Sequence, residues 1–248
     1  VSESRTSRLR AYRPRSKYKN GMCPHLGEFD AICLAGGSRV PRDLNIEGRD
    51  LNGIYFAMDY LTQSNRIIAG ENISSEKSID AKGKKVVIIG GGDTGADCVG
   101  TAHRQGAACV VQIEVMPEPP SCRDGNCPWP RYPLLLKTST SHEEGGERHW
   151  SILTKRFVGD SGSIKKISCV RVEFLKDSAT GSNVIKEIPG PQFDIAADLV
   201  ILAIGFLYPE HAGLIKKLNV GLDARGNVKT DERYMASVKG IFSAGDMR

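Results

Sequence analysis

Lys85-Val86-Val87-Ile88-Ile89-Gly90-Gly91-Gly92-Asp93-Thr94-Gly95 passes from unbroken apolar residues into glycine, and then into a helix-compatible segment, Asp93 to Gln105, closed by Gly106. Valine and isoleucine are stiff at χ1 and suit a pleated strand. An unbroken apolar run, rather than an alternating one, is expected of a parallel strand buried on both faces. Gly106 supplies the helix stop, and Cys109 to Val115 follows as another apolar segment. The order is strand, helix, strand, the crossover that parallel strands require. Within it, Gly90 to Gly95 fits G-x-G-x-x-G, and Glu114 stands 19 residues beyond Gly95 at the end of the next strand. That context is what makes a glycine-rich turn a dinucleotide fingerprint. Gly90 permits the tight turn, Gly92 lets backbone approach a pyrophosphate, and Gly95 lets helix and strand pack closely. Gly90, Gly91, Gly92, Asp93, Thr94 and Gly95 are therefore read as the cofactor cradle, the helix's free amides and dipole attracting the anion. The competing reading is a helix N-cap at Asp93 with incidental glycines. Glu114, able to accept from a ribose 2′-hydroxyl and to repel a 2′-phosphate, leans toward NADH. A solvent-facing Glu114, with Arg123 or Arg131 serving a phosphate, leaves NADH against NADPH open.

Three more apolar segments end on glycine: Phe29 to Ala35 before Gly36-Gly37, Asp198 to Ile204 before Gly205, and Gly240 to Ala244 before Gly245-Asp246. Together with the first two they make five expected parallel strands. Asn52 to Arg66 spaces Ile54, Met58 and Leu61 as a helix would, and Ser64 to Lys84 reads as a polar linker. Ser151 to Val158, Ile164 to Lys176 and Val184 to Ile188 are read as consecutive antiparallel strands, a ribbon covering one face of the sheet. Residues 117–133 carry six prolines and predict a stiff, non-helical loop.

Composition bounds the function. With 40% apolar and 25% charged residues the chain is an ordinary globular one, and its longest apolar run, Leu199 to Ile204, falls far short of a membrane span. The net charge of +5 resides in residues 1–20, which hold seven basic residues against Glu3, so that arm is read as a solvated end rather than a nucleic-acid contact. No apolar segment follows those basic residues, and the cytoplasm or an organelle interior is the expected compartment. Of seven cysteines, Cys33, Cys98, Cys109 and Cys169 lie in apolar segments and are expected in the core. Cys122 and Cys127 flank a turn without a second ligand pair, so no metal site is expected. Histidines 25, 103, 142, 149 and 211 are scattered and read as surface or structural, and adjacent Glu143 and Glu144 do not form a paired-carboxylate site.

Lys82 to Cys98 (KGKKVVIIGGGDTGADC), Ile113 to Pro120 (IEVMPEPP), Asn126 to Pro133 (NCPWPRYP), Thr138 to Trp150 (TSTSHEEGGERHW), Leu153 to Asp160 (LTKRFVGD) and Ala197 to Gly205 (ADLVILAIG) resemble the small (beta) subunit of glutamate synthase. The similarity runs from about Phe29 to the C-terminus. It implies an α/β fold: a Rossmann-like NAD(P)-binding domain, with a parallel sheet and an antiparallel β-ribbon, inserted in a partial FAD-binding domain. The expected divisions are 1–44, a basic arm and FAD-domain strand; 45–210, the NAD(P)H domain with its core at 84–205; and 211–248, the returning FAD-domain segment. Gly205 would close the nucleotide domain's last strand, and Gly245 and Asp246 would lie near the flavin ribityl chain. The implied activity is hydride transfer from NAD(P)H to FAD, which feeds iron–sulfur clusters and a large partner subunit that makes glutamate from glutamine and 2-oxoglutarate. No side-chain acid or base is required, so no catalytic residue is named. The family's cluster cysteines and first G-x-G-x-x-G are not found before Phe29, and the resemblance thus implies a fragment. Two other readings keep the fold: a flavin reductase feeding ferredoxin or another acceptor, and a non-catalytic nucleotide-binding docking module.

Overall fold

The computed structural model describes residues 29–74, 78–123, 128–131, 135–176 and 183–248. The chain divides into two compact units, one of residues 40–207 and another to which 29–39 and 208–248 belong.

In the larger unit, five strands form a wholly parallel sheet: β2 (Ile54–Phe56), β3 (Lys85–Ile89), β4 (Cys109–Ile113), β5 (Glu147–His149) and β10 (Leu199–Leu202), in the order β2-β10-β3-β4-β5. β3 lies inside, and its alternate residues face two separate cores. Val86 and Ile88 pack with Ala57 and Tyr60 of α1 (Ala57–Ile68) and with Cys98, Val99 and Ala102 of α2 (Asp93–Arg104). Val87 and Ile89 face Ile152, Phe157, Ile164, Ile167 and Cys169 of the ribbon. The continuous apolar run in the sequence is thus the middle layer of three, helices on one face and antiparallel strands on the other. The ribbon consists of β6 (Ile152–Asp160), the 14-residue β7 (Ser163–Lys176), β8 (Asn183–Glu187) and β9 (Phe193–Ala196), with β6, β8 and β9 all pairing antiparallel with β7.

In the other unit, β1 (Ile32–Leu34) and β11 (Ile241–Ser243) pair in parallel as their own two-stranded sheet. The five glycine-terminated strands are therefore shared between two sheets, β3, β4 and β10 in one and β1 and β11 in the other.

Several expectations are corrected. Asn52 to Arg66 is not helical throughout: Ile54–Phe56 is a strand beside β10, and the helix starts at Ala57 and runs on to Ile68, into the expected linker. Three residues are too few for an alternating pattern to show against helical spacing. Cys98 and Cys169 are buried, but Cys33 and Cys109 are exposed. Cys33 alternates with Leu34, which takes the buried face of β1, and Cys109 is the first residue of β4, at the rim of the sheet. β5, β9 and a single turn of helix, α3 (Thr140–Glu143), have no counterpart among the expected elements. No helix among the described residues is long and apolar enough to cross a membrane.

Candidate functional site

The turn after β3 is built as its glycines require. Gly90 has φ +125°, and a Cβ there would collide with the carbonyl oxygen of Ala203, so only glycine fits. A Cβ at Gly95 would run into the Gly90 carbonyl oxygen and lie 2.6 Å from Gln112 Nε2, which makes residue 95 the point of closest helix-to-strand approach. At Gly92 a Cβ would meet nothing within 4 Å: this glycine faces open space. Gly92 is the N-cap of α2 and offers no side-chain acceptor. The helix begins at Asp93, so Asp93 is not its cap. The first amides of α2 have no acceptor within the helix, as at any helix N-terminus, and no side chain caps them.

Two cavities open on either side of this turn and share Gly92, Asp93 and Glu114 as walls. One, of about 600 Å³, is closed by Thr94, Ile152, Thr154, Ile204 and Gly205, with Arg42 at its edge. Gly205 follows β10 with φ +86°, and its carbonyl accepts the Arg42 amide at 2.9 Å. The other, of about 540 Å³, lies beyond Glu114 and is lined by Met116, Pro117, Lys137, Arg148 and Trp150. Arg148 lies over the Trp150 ring, 5.0 Å from its centroid, and donates to the Lys137 carbonyl at 3.1 Å.

Glu114 follows β4 and is turned back over the glycines. Its Oε2 accepts the Gly91 amide at 2.6 Å and its Oε1 accepts the Met116 amide at 3.0 Å. Two backbone N–H groups therefore offset its charge. Arg123 and Arg131 line neither cavity, and Arg123 donates to the Arg131 carbonyl at 3.0 Å.

Gly245 and Asp246 belong to the other unit, in a 3-10 turn after β11. There the loops that follow the two parallel strands are tied together, Gly36 donating to Met247 Sδ at 2.8 Å and Ser38 Oγ to the Asp246 carbonyl at 2.5 Å. Cys122 is an exposed free thiol and Cys127 lies outside the described residues.

Sequence reasoning missed Gln112 and undervalued His142. Gln112, next to last in β4, is 2% exposed, donates to the Gly90 carbonyl from Nε2 at 2.8 Å, and meets His142 Nε2 through Oε1 at 2.9 Å. One signal was available, a lone amide inside the apolar run Cys109-Val110-Val111-Gln112-Ile113. Lys137 and Arg148 were missed as well, because each sits in a segment without periodicity.

The chain is 48% identical over 223 residues to the small chain of glutamate synthase [NADPH] from Mycobacterium tuberculosis, covering 89% of this chain and 44% of that one. Against glutamate synthase [NADH] of Schizosaccharomyces pombe the identity is 45% over 228 residues, 89% of this chain and 11% of that one. The resemblance drawn from the motifs is borne out, and the chain spans less than half the length of these relatives. FprA from Mycobacterium tuberculosis, solved in complex with NADPH, shares the fold at 16% identity and a TM-score of 0.61, over 90% of this chain and 60% of that one. Residues 24–127 and 142–248 match the pyridine nucleotide-disulphide oxidoreductases, and the chain belongs to that family.

Proposed function

We propose that the two cavities flanking the glycine turn bind the two halves of NAD(P)H, and that the chain is the electron-input part of a glutamate synthase-type flavoprotein. The observation that carries this reading is the turn itself: Gly92 faces open space where the first amides of α2 have no internal acceptor, and both cavities meet there. A pyrophosphate fits that cradle. The amides of Asp93 and Thr94 would hold it, and the apolar walls Ile152 and Ile204 with Gly205 would exclude water from the nicotinamide half. Trp150, Met116 and Pro117 would flank the adenosine half.

Bound NAD(P)H supplies a hydride for transfer to a flavin. The described side chains contribute position and exclusion of water, and none is required as an acid or base. Gly245 and Asp246, beside the loop after β1, would meet the flavin in the intact protein. A large subunit is the proposed partner, since the Mycobacterium tuberculosis relative is named a small chain; that the partner makes glutamate from glutamine and 2-oxoglutarate is what the family resemblance implies.

NADPH is favoured over NADH by one feature. Lys137 and Arg148 stand in the cavity beyond Glu114, whose charge is already met by two amides. A 2′-phosphate would gain a charge-assisted hydrogen bond from the Arg148 guanidinium and would lose less to a carboxylate that two amides already hold. Calorimetric titration of the chain with NADPH and NADH tests the proposal. Saturable 1:1 binding is expected, tighter for NADPH, and failure of both nucleotides to bind at millimolar concentration would overturn it.

A further inference from the structure

Three consecutive residues, Gln112, Ile113 and Glu114, hold two consecutive glycines. The Ile113 carbonyl accepts the Gly90 amide at 2.8 Å, Gln112 Nε2 donates to the Gly90 carbonyl at 2.8 Å, and Glu114 Oε2 accepts the Gly91 amide at 2.6 Å. Glycine has no side chain to anchor it, so these bonds set the direction of the turn.

The Gln112 link extends outward, and its proton positions follow by logic. A carbonyl oxygen only accepts, so the atom facing Gly90 is the amide nitrogen, and Oε1 is the atom 2.9 Å from His142 Nε2. An amide oxygen also only accepts, so His142 Nε2 carries a hydrogen. Its Nδ1 lies 3.2 Å from the Ser139 backbone amide, a donor that needs a lone pair there. The Ser139 hydroxyl lies 3.1 Å from the same Nδ1 and can donate to it or accept from it. The neutral Nε2–H tautomer satisfies Gln112 and the Ser139 amide together, whereas the doubly protonated ring can turn its Nδ1–H only to the Ser139 hydroxyl and gives up the bond from the Ser139 N–H, which it then opposes.

We propose that His142 is a positioning residue for the glycine turn: through Gln112 it fixes the Gly90 carbonyl, so that the amides following it are aimed for an anionic nucleotide only while His142 is neutral. This rests on the nucleotide reading of the cleft. Burial, and then the charge of Arg148, hold the His142 imidazole below its usual range, so the neutral ring is the native form. Around it stand Arg148 of β5, Lys137, Glu114 and Asp93 on the walls of the same cavity, Glu143 of α3, Glu144 just after it, paired to Arg104 of α2, and His103 of α2, which packs beside Gly146. The sign is fixed by the direction of the shift. A histidine depressed in the folded state contributes fully above its unfolded pKa, and its contribution is lost as pH falls through the folded value.

Amide resonances of the 248-residue chain, followed from about pH 8 down to 5, read the relay without any nucleotide. The Gly90 and Gly91 signals should move with the midpoint of the His142 ring. In His142→Gln, which keeps an N–H donor toward Gln112 but does not titrate, they should stay near their high-pH positions. His142→Leu should shift them at every pH and weaken NADPH binding about tenfold, as a coupled network would. In a Gln112→Leu background, the same leucine should cost nothing further. Glycine signals that ignore the titration of His142 would overturn the proposal, as would a His142→Leu loss that persists in full beside Gln112→Leu. If His142→Leu does not fold, the comparison of wild type with His142→Gln across pH decides the matter. If wild-type chain binds neither NADPH nor NADH, the nucleotide reading alone fails, and the amide shifts still decide the relay.

Discussion

A methyl group at residue 95 would press on the Gly90 carbonyl and lie 2.6 Å from Gln112 Nε2, so the third glycine is fixed by packing rather than by backbone dihedral. Gly95→Ala must push α2 away from β3, at a cost of about 1–3 kcal/mol typical of overpacking. It should also tilt the amides of the first turn, and weaken nucleotide binding more than its stability loss explains. Denaturant melts beside calorimetry would check both, and unchanged binding in a destabilised chain would detach the cradle from the glycine. Arg148 offers a sharper test because it has an internal control. If the proposed reading holds, Arg148→Leu removes a cation that would meet the 2′-phosphate, so NADPH affinity should fall about tenfold or more, the worth of a charged hydrogen bond, while NADH affinity changes much less. Equal losses for both nucleotides would mean that Arg148 only props Trp150 and Lys137. The glycines were legible in the sequence because steric needs are local. Gln112 and His142 were not, because what makes each matter is a partner 22 or more residues away, Gly90 for Gln112 and Gln112 for His142; Arg148 was not, because its segment has no periodicity and its partners, Lys137 and Trp150, carry no motif.

Each face of the parallel sheet has its own buried thiol, Cys98 on the helix side and Cys169 on the ribbon side. Burial pushes both thiols upward, Cys169 to about 11, where the neighbouring Thr154 hydroxyl offsets part of the rise. Since the thiolate is the reactive form, burial holds both in the unreactive thiol form at pH 8 even before access is considered. Alkylation of the native chain at pH 8 should therefore label Cys33, Cys109 and Cys122, which are exposed, and spare Cys98 and Cys169 until denaturant is added. Peptide mapping by mass spectrometry reads each face separately. Early labelling of Cys169 with Cys98 protected would mean that the ribbon lifts from the sheet while the helices stay docked. At this scale the long periodic elements were readable: β3, α2, β4 and the hairpin of β6 and β7 fall within a few residues of where their patterns place them. The short ones were not, since β2 and β5 have three residues each and owe their existence to the strands beside them.

Both sheet-facing cores and every residue lining the two cavities lie within residues 40–207, whereas Leu34, Val220, Val228, Ile241 and Met247 form a separate cluster in the other unit. A domain is stable alone when its apolar faces are covered by its own elements. The parallel sheet of five strands meets that condition, with α1 and α2 on one side and the ribbon on the other. Two paired strands do not make an independently stable sheet. Residues 40–207 expressed by themselves should then melt cooperatively and bind NADPH with the affinity of the 248-residue chain, within about twofold, because no wall of the cleft is removed and additivity holds for distant, independent parts. A segment that folds but binds much more weakly would mean that the rest of the chain shapes the cradle, and the nucleotide and flavin functions would have to be treated as one structural unit. A segment that binds as well as the whole chain would separate them: hydride donor site in 40–207, and whatever receives the hydride supplied from outside it.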